Sequence, residues 1–213
     1  TPSPPPPSST ACICLDWDDT LLCSTWLAQN GLRLDSDTSP SAAVAKDLLK
    51  LEEAVCKLLR RAKQHTHRVL IVTNAEHGWV ELSAARWLPG VVPLLEDIEV
   101  FSARTAYEPH SPDPSSWKLH AFEEKVTAYL SHLSEADHKM VLSFGDSIHE
   151  RTALHRVAAK IPNLAPKSIK FVERPTVEQL TRQVDLVHSC IDDLVSHSGA
   201  LDLMLTISLL YAQ

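Results

Sequence analysis

No stretch of this sequence reaches the roughly 20 uninterrupted apolar residues that a bilayer-spanning helix needs. The closest run, residues 201–212, carries Asp202 inside it and reads as a terminal helix packing on a core. An excess of positive charge is also missing. Twenty Lys+Arg against 27 Asp+Glu leave a net charge of -7, which disfavours broad binding to nucleic acid or anionic lipid and leaves only a local anion site open. The five cysteines, Cys12, Cys14, Cys23, Cys56 and Cys190, are odd in number, scattered and without a C-x-x-C pair. They fit neither a disulfide framework nor a zinc ribbon, and a reducing compartment such as the cytoplasm is expected. There is no internal repeat.

What is present is a chain of 213 residues, 44% hydrophobic and 22% charged, which is the composition of one folded domain. Residues 1–10, TPSPPPPSST, can neither close a helix nor bury surface, so they read as a disordered Pro-rich tail ahead of a domain over 11–213. From Ala11 onward, short apolar runs alternate with helical periodicity, the pattern of an α/β fold with a parallel sheet. The runs are Cys12–Leu15, Val69–Val72, Ile98–Phe101, Met140–Phe144 and Ile169–Val172, the last placed at an edge because Lys170 interrupts it. Between the first two, Val44, Leu48, Leu51, Val55, Leu58 and Ala62 mark a crossover helix opened by Ser39 and Pro40. Further helices are expected over Trp79–Leu88, about Leu119–Leu133, 149–160 and Val177–Leu194.

The most informative string is Cys12-Ile-Cys-Leu-Asp16-Trp-Asp18-Asp19-Thr20. A buried strand running straight into acids delivers carboxylates to its C-terminal end, where open α/β sheets bind ligands. Asp16 and Asp18, two apart in an extended segment, can project into one site, one attacking while the other handles protons. Clustered carboxylates repel, and a divalent cation relieves that repulsion. Two later strands end in the same manner: one in Thr73-Asn74, the other in Gly145-Asp146 followed by Glu150. Thr73-x-x-Glu76 and Ser147-x-x-Glu150 also match helix capping boxes. Lys118 falls in a first helical turn after Ser115-Ser116, where the helix dipole disfavours a cation, and such a breach of local rules is expected at functional sites. Trp17, Trp79 and Trp117 lie beside these motifs and are candidates for an apolar rim, with burial in the core as the alternative.

Asp16-x-Asp18-x-Thr20, Thr73, Lys118, and Gly145-Asp146 with Glu150, in that order, resemble the motifs of the haloacid dehalogenase superfamily in its phosphohydrolase branch. The resemblance covers about residues 11–172. It implies a three-layer Rossmann-like sheet in the order 5-4-1-2-3 with helices on both faces. It also implies Asp16 as the nucleophile that forms an aspartyl-phosphate and Asp18 as the acid that protonates the leaving group and then activates water. Thr73, Asn74 and Lys118 match phosphate-holding positions. Asp16, the backbone carbonyl of Asp18, and Asp146 match the Mg²⁺ ligands, with Thr20 and Glu150 supporting them from behind. The acid at Asp18 separates this pattern from the dehalogenase branch.

Members of this family usually carry a cap domain between the first and second motifs or between the second and third. Residues 21–68 and 75–117 are already used by the elements above, so no cap is expected. An uncovered site resembles those of capless members that act on proteins, nucleic acids or other bulky phosphates, although some capless members take small molecules. The expectation is therefore a Mg²⁺-dependent phosphatase with a phosphorylated partner and no nucleic-acid or membrane partner. Its rival is a catalytically silent module that binds a phosphorylated protein.

Overall fold

The computed structural model describes residues 8–212. In chain order the elements are β1 (Ser8–Leu15), α1 (Ser24–Gln29), α2 (Ala42–His65), β2 (Thr66–Thr73), α3 (Trp79–Trp87), α4 (Val92–Leu95), β3 (Glu99–Ser102) and α5 (Ala103–Tyr107). They continue with α6 (Pro114–Leu130), β4 (Lys139–Gly145), α7 (Ile148–Ala158), β5 (Leu164–Lys170), α8 (Val177–Ser196), β6 (Leu201–Met204) and α9 (Ile207–Leu210). All strands pair in parallel, in the order β3-β2-β1-β4-β5-β6. Over the first five this is 5-4-1-2-3 read from the opposite edge, and β6 is an addition that the sequence reading did not contain.

Strand alternation divides the interior into two cores. Ile13 and Leu15 of β1 face α2 and α8, together with Val69, Ile71, Leu142 and Phe144. Cys12 and Cys14 face the other way, toward α6 and α7, together with Leu70, Val72 and Val141. Both cysteine side chains are fully enclosed, 3.8 Å apart at Sγ, and burial pushes the Cys12 thiol well up, so they act as packing groups.

Several expectations are corrected. Residues 8–10 belong to β1, so the tail reading fails there, and residues 1–7 lie outside the described residues. The crossover helix α2 is capped by Ser41, whose side chain accepts from Val44 N–H, not by Ser39. The fifth strand lies earlier than Ile169–Val172, and it is not the edge. Residues 201–212 form a strand and one short helix instead of a packed helix. The reason lies in β5: its outer backbone groups need partners, and Leu201–Met204 supply them against Lys167–Lys170. Pro166 is tolerated in β5 because β6 starts pairing only at Lys167. Among the described residues no helix is long and apolar enough to cross a membrane.

Candidate active site

The chain leaves β1 toward β2 and β3 on one side of the sheet and later returns to β4 on the other. The strand order therefore reverses between β1 and β4, and ligands bind open α/β sheets outside the C-terminal ends of the strands at such a point. Asp16 is the first residue beyond β1, and its N–H donates to Phe144 O (2.9 Å), extending the β1–β4 ladder to the acid itself. Asp146 is the first residue beyond β4. The loop from Asp16 to α1 is tight: Trp17 O accepts from Leu21 N–H (2.8 Å) and Leu22 N–H (3.0 Å), and Asp19 sits at φ 53°, a left-handed conformation that Asp tolerates better than most side chains.

Lys118 is the centre of the arrangement. The N-cap of α6 is Asp113, which puts Lys118 past the first turn, so the expected clash with the helix dipole is not what marks it. Its burial does: Lys118 is 1% exposed. Nζ donates to Asp16 Oδ1 (2.6 Å), to Glu150 Oε1 (2.8 Å) and to Val72 O (2.7 Å), which uses all three ammonium protons. Burial alone would lower the pKa of Lys118, but the carboxylates of Asp16 and Glu150 outweigh it and hold the ammonium above its ordinary value. Burial likewise pushes Glu150 up, and here Lys118 and Ser147 prevail and lower it. At Asp16 burial wins: aided by Glu150 and Asp18, it raises the carboxyl well above the usual range against the pull of Lys118.

Glu150 therefore does two things. Its Oε2 accepts from the Ser147 backbone N–H (3.2 Å) and hydroxyl (2.5 Å), completing the capping box of α7, while Oε1 holds Lys118. Gly145 makes room for it, since a Cβ there would stand 2.6 Å from Glu150 Cγ. The other suspected box fails: Thr73 does not cap a helix, and α3 opens after Gly78 at φ 86°.

Asp18 makes its hydrogen bonds outside this triad. Its Oδ1 accepts from Trp79 Nε1 (2.9 Å) and its Oδ2 from Thr73 Oγ1 (3.3 Å). Thr73 is buried, and its hydroxyl also accepts from Ala75 N–H (2.9 Å). Asn74 is drawn toward α6, its Nδ2 donating to Pro114 O (3.2 Å), while Oδ1 is buried with no partner among the described residues. Thr20 is fully buried, and its hydroxyl is likewise unpartnered. Of the three tryptophans only Trp79 borders the site. Trp17 is in the core with Nε1 on Ser83 Oγ (2.9 Å), and Trp117 is in the other core with Nε1 on Ser111 O (2.7 Å). The Trp79–Asp18 bond had no signal in the sequence, because the two are 61 residues apart and only the fold brings them together.

The site is strongly acidic. Lys118 acts on Asp16, Glu150 and Asp146, Asp18 adds its charge against Asp16 and Asp19, and Arg174 is a weak influence on Asp19. Burial raises Asp146 to about 7, with Glu150 and Asp19 adding to the push, and burial also raises Asp19. Among the described residues no three His, Cys, Asp or Glu side chains converge as a ready-made metal cluster. A site of one or two carboxylates, a backbone carbonyl and water is still what a hard, hydrated cation such as Mg²⁺ uses, and the all-oxygen, charge-surplus donor set fits it. Comparison with family models, with curated proteins and with solved structures finds no match for this chain.

Proposed function

We propose that the protein is a Mg²⁺-dependent phosphatase of the haloacid dehalogenase type, acting on phosphate monoesters through a phosphorylated Asp16. The observation that carries this reading is the buried Lys118 bridging Asp16 and Glu150 at the switch point of the sheet. A pair of buried carboxylates holding one ammonium with all its protons used is costly to keep for stability alone. Beside a transferring phosphoryl group the same ammonium stabilises charge on the oxygens.

In this reading Asp16 attacks phosphorus, and the bond to the ester oxygen breaks as Asp18 supplies a proton to it. Asp18 then takes a proton from water, whose oxygen attacks phosphorus and releases phosphate and a free Asp16. Lys118 exchanges one of its three acceptors for a phosphoryl oxygen. Asp16, the Asp18 carbonyl and Asp146 are the groups to hold Mg²⁺, which when bound supplies neutralisation of phosphate charge. Thr73 closes β2 and Asn74 follows it, and to take further phosphoryl oxygens their hydroxyl and amide would exchange their bonds to Asp18 and Pro114. Residues 21–68 and 75–117 are consumed by α1 to α5 and two strands, and this supports an uncapped site suited to a bulky ester, a phosphorylated protein included. The sheet order is also that of dinucleotide-binding folds, but between Leu15 and Gly31 there is no glycine, and the acids there repel a pyrophosphate.

The test is hydrolysis of p-nitrophenyl phosphate with Mg²⁺ and with EDTA. Turnover should need the metal and vanish in Asp16→Asn. Asp18→Asn should release about one nitrophenolate per enzyme in a burst and then stall, because this leaving group departs without a proton. No turnover and no phosphoenzyme in the intact protein would remove the enzyme reading and leave a silent module that binds phosphorylated protein.

A further inference from the structure

An apolar cavity of about 370 Å³ shares Trp79, the residue bonded to Asp18, with the candidate site. Leu27 of α1, Leu32 and Leu34 after it, and Trp79 and Trp87 of α3 form its walls. The two indoles stand 6.4 Å apart and tilted by 59°, making a corner that suits a flat or branched hydrocarbon. The charges at its mouth, Arg33 and Asp35, are spent on each other at 3.0 Å and are well exposed. The cavity thus offers shape and apolar surface but no free charge, and its size is that of a small-ligand site, roughly 300–1,000 Å³.

Trp79 connects this cavity to the chemistry. Its indole lines the cavity, while its Nε1–H holds the Asp18 carboxylate. In the phosphatase reading Asp18 meets the leaving oxygen, and Trp79 is the residue that joins Asp18 to the cavity. Resting on the phosphatase reading, we propose that this cavity is the leaving-group subsite and that the substrate is a phosphate monoester of an alcohol or phenol bearing an aromatic or branched apolar group. The P–O bond to that group breaks as the Asp16–phosphorus bond forms, Asp18 supplies the proton, and the free alcohol or phenol leaves from the cavity.

Phenyl phosphate and 2-naphthyl phosphate test this, since both release phenols of similar acidity and differ in apolar surface. The naphthyl ester should show kcat/KM about tenfold higher, the effect of burying one further ring. Ala28→Trp fills the cavity from an exposed helix position and should bring the ratio to near one. Leu34→Asn, at a half-buried position, should lower it as well and serves if the first variant fails to fold. Binding of naphthyl and methyl phosphonates, followed by calorimetry, gives a readout independent of turnover, and Ala28→Trp should weaken only the naphthyl compound. Turnover of both esters with a ratio near one in the intact protein would overturn the subsite and leave the phosphatase reading standing. Without turnover of either ester the phosphatase reading fails, and equal binding of both phosphonates would then overturn the cavity assignment too.

Discussion

Replacing Lys118 by Met should destabilise the fold severely. In a solvated first turn a lysine could be exchanged with little loss, but here the ammonium is the partner of two buried carboxylates and one buried carbonyl. Methionine fills the space and leaves Asp16 and Glu150 facing each other without compensation. Removing one partner of a buried ion pair costs about 3–5 kcal/mol, a large share of the roughly 5–15 kcal/mol that holds a domain together. For a chain of this size that is a fall in Tm of about 6–20 °C. Urea unfolding followed by tryptophan fluorescence, in EDTA, measures it. The control is the triple variant Lys118→Met, Asp16→Asn, Glu150→Gln, which has no unpaired charge and should recover most of the loss. A single variant within about 1 kcal/mol of the wild type, or a triple variant no better than the single, would refute the reasoning.

Gly145→Ala should cost about 1–3 kcal/mol, because its Cβ meets Glu150 and drives that carboxylate off Lys118; combined with Glu150→Ala it should add little to the effect of Glu150→Ala alone, as urea midpoints will show. Asp192 is lowered to about 2 by its hydrogen bond with Arg61 and, less, by His65. Its folded value lies below its unfolded one, so its contribution is present above about pH 4 and fades as the pH falls toward 2. The group is half exposed and the pair is well under about 1 kcal/mol. The Tm gap between wild type and Asp192→Asn should therefore close on acidification, and a gap that widens would contradict the assignment.

The sequence by itself determined the α/β class, four of the five principal strands with the fifth displaced toward its C-terminal end, and the acids at the ends of β1 and β4. These are local properties: alternation between apolar runs and helical spacing sets element type, and a strand that runs into Asp16 or Asp146 delivers that residue to the C-terminal edge wherever the strand lies in the sheet. Ser147-x-x-Glu150 was legible as a cap for the same reason, since both residues lie within one turn. Tertiary structure alone decided which groups touch. Lys118 meets Asp16 across 102 residues, and its importance lies in burial, which a helical pattern does not disclose. Trp17, Trp79 and Trp117 look alike in the sequence, yet packing sends two into separate cores and leaves the third between Asp18 and an apolar cavity. Residues 201–212 went the same way: their apolar spacing suits a helix, but the open edge of β5 needed hydrogen-bond partners, and a requirement set by a distant strand overrides a local preference.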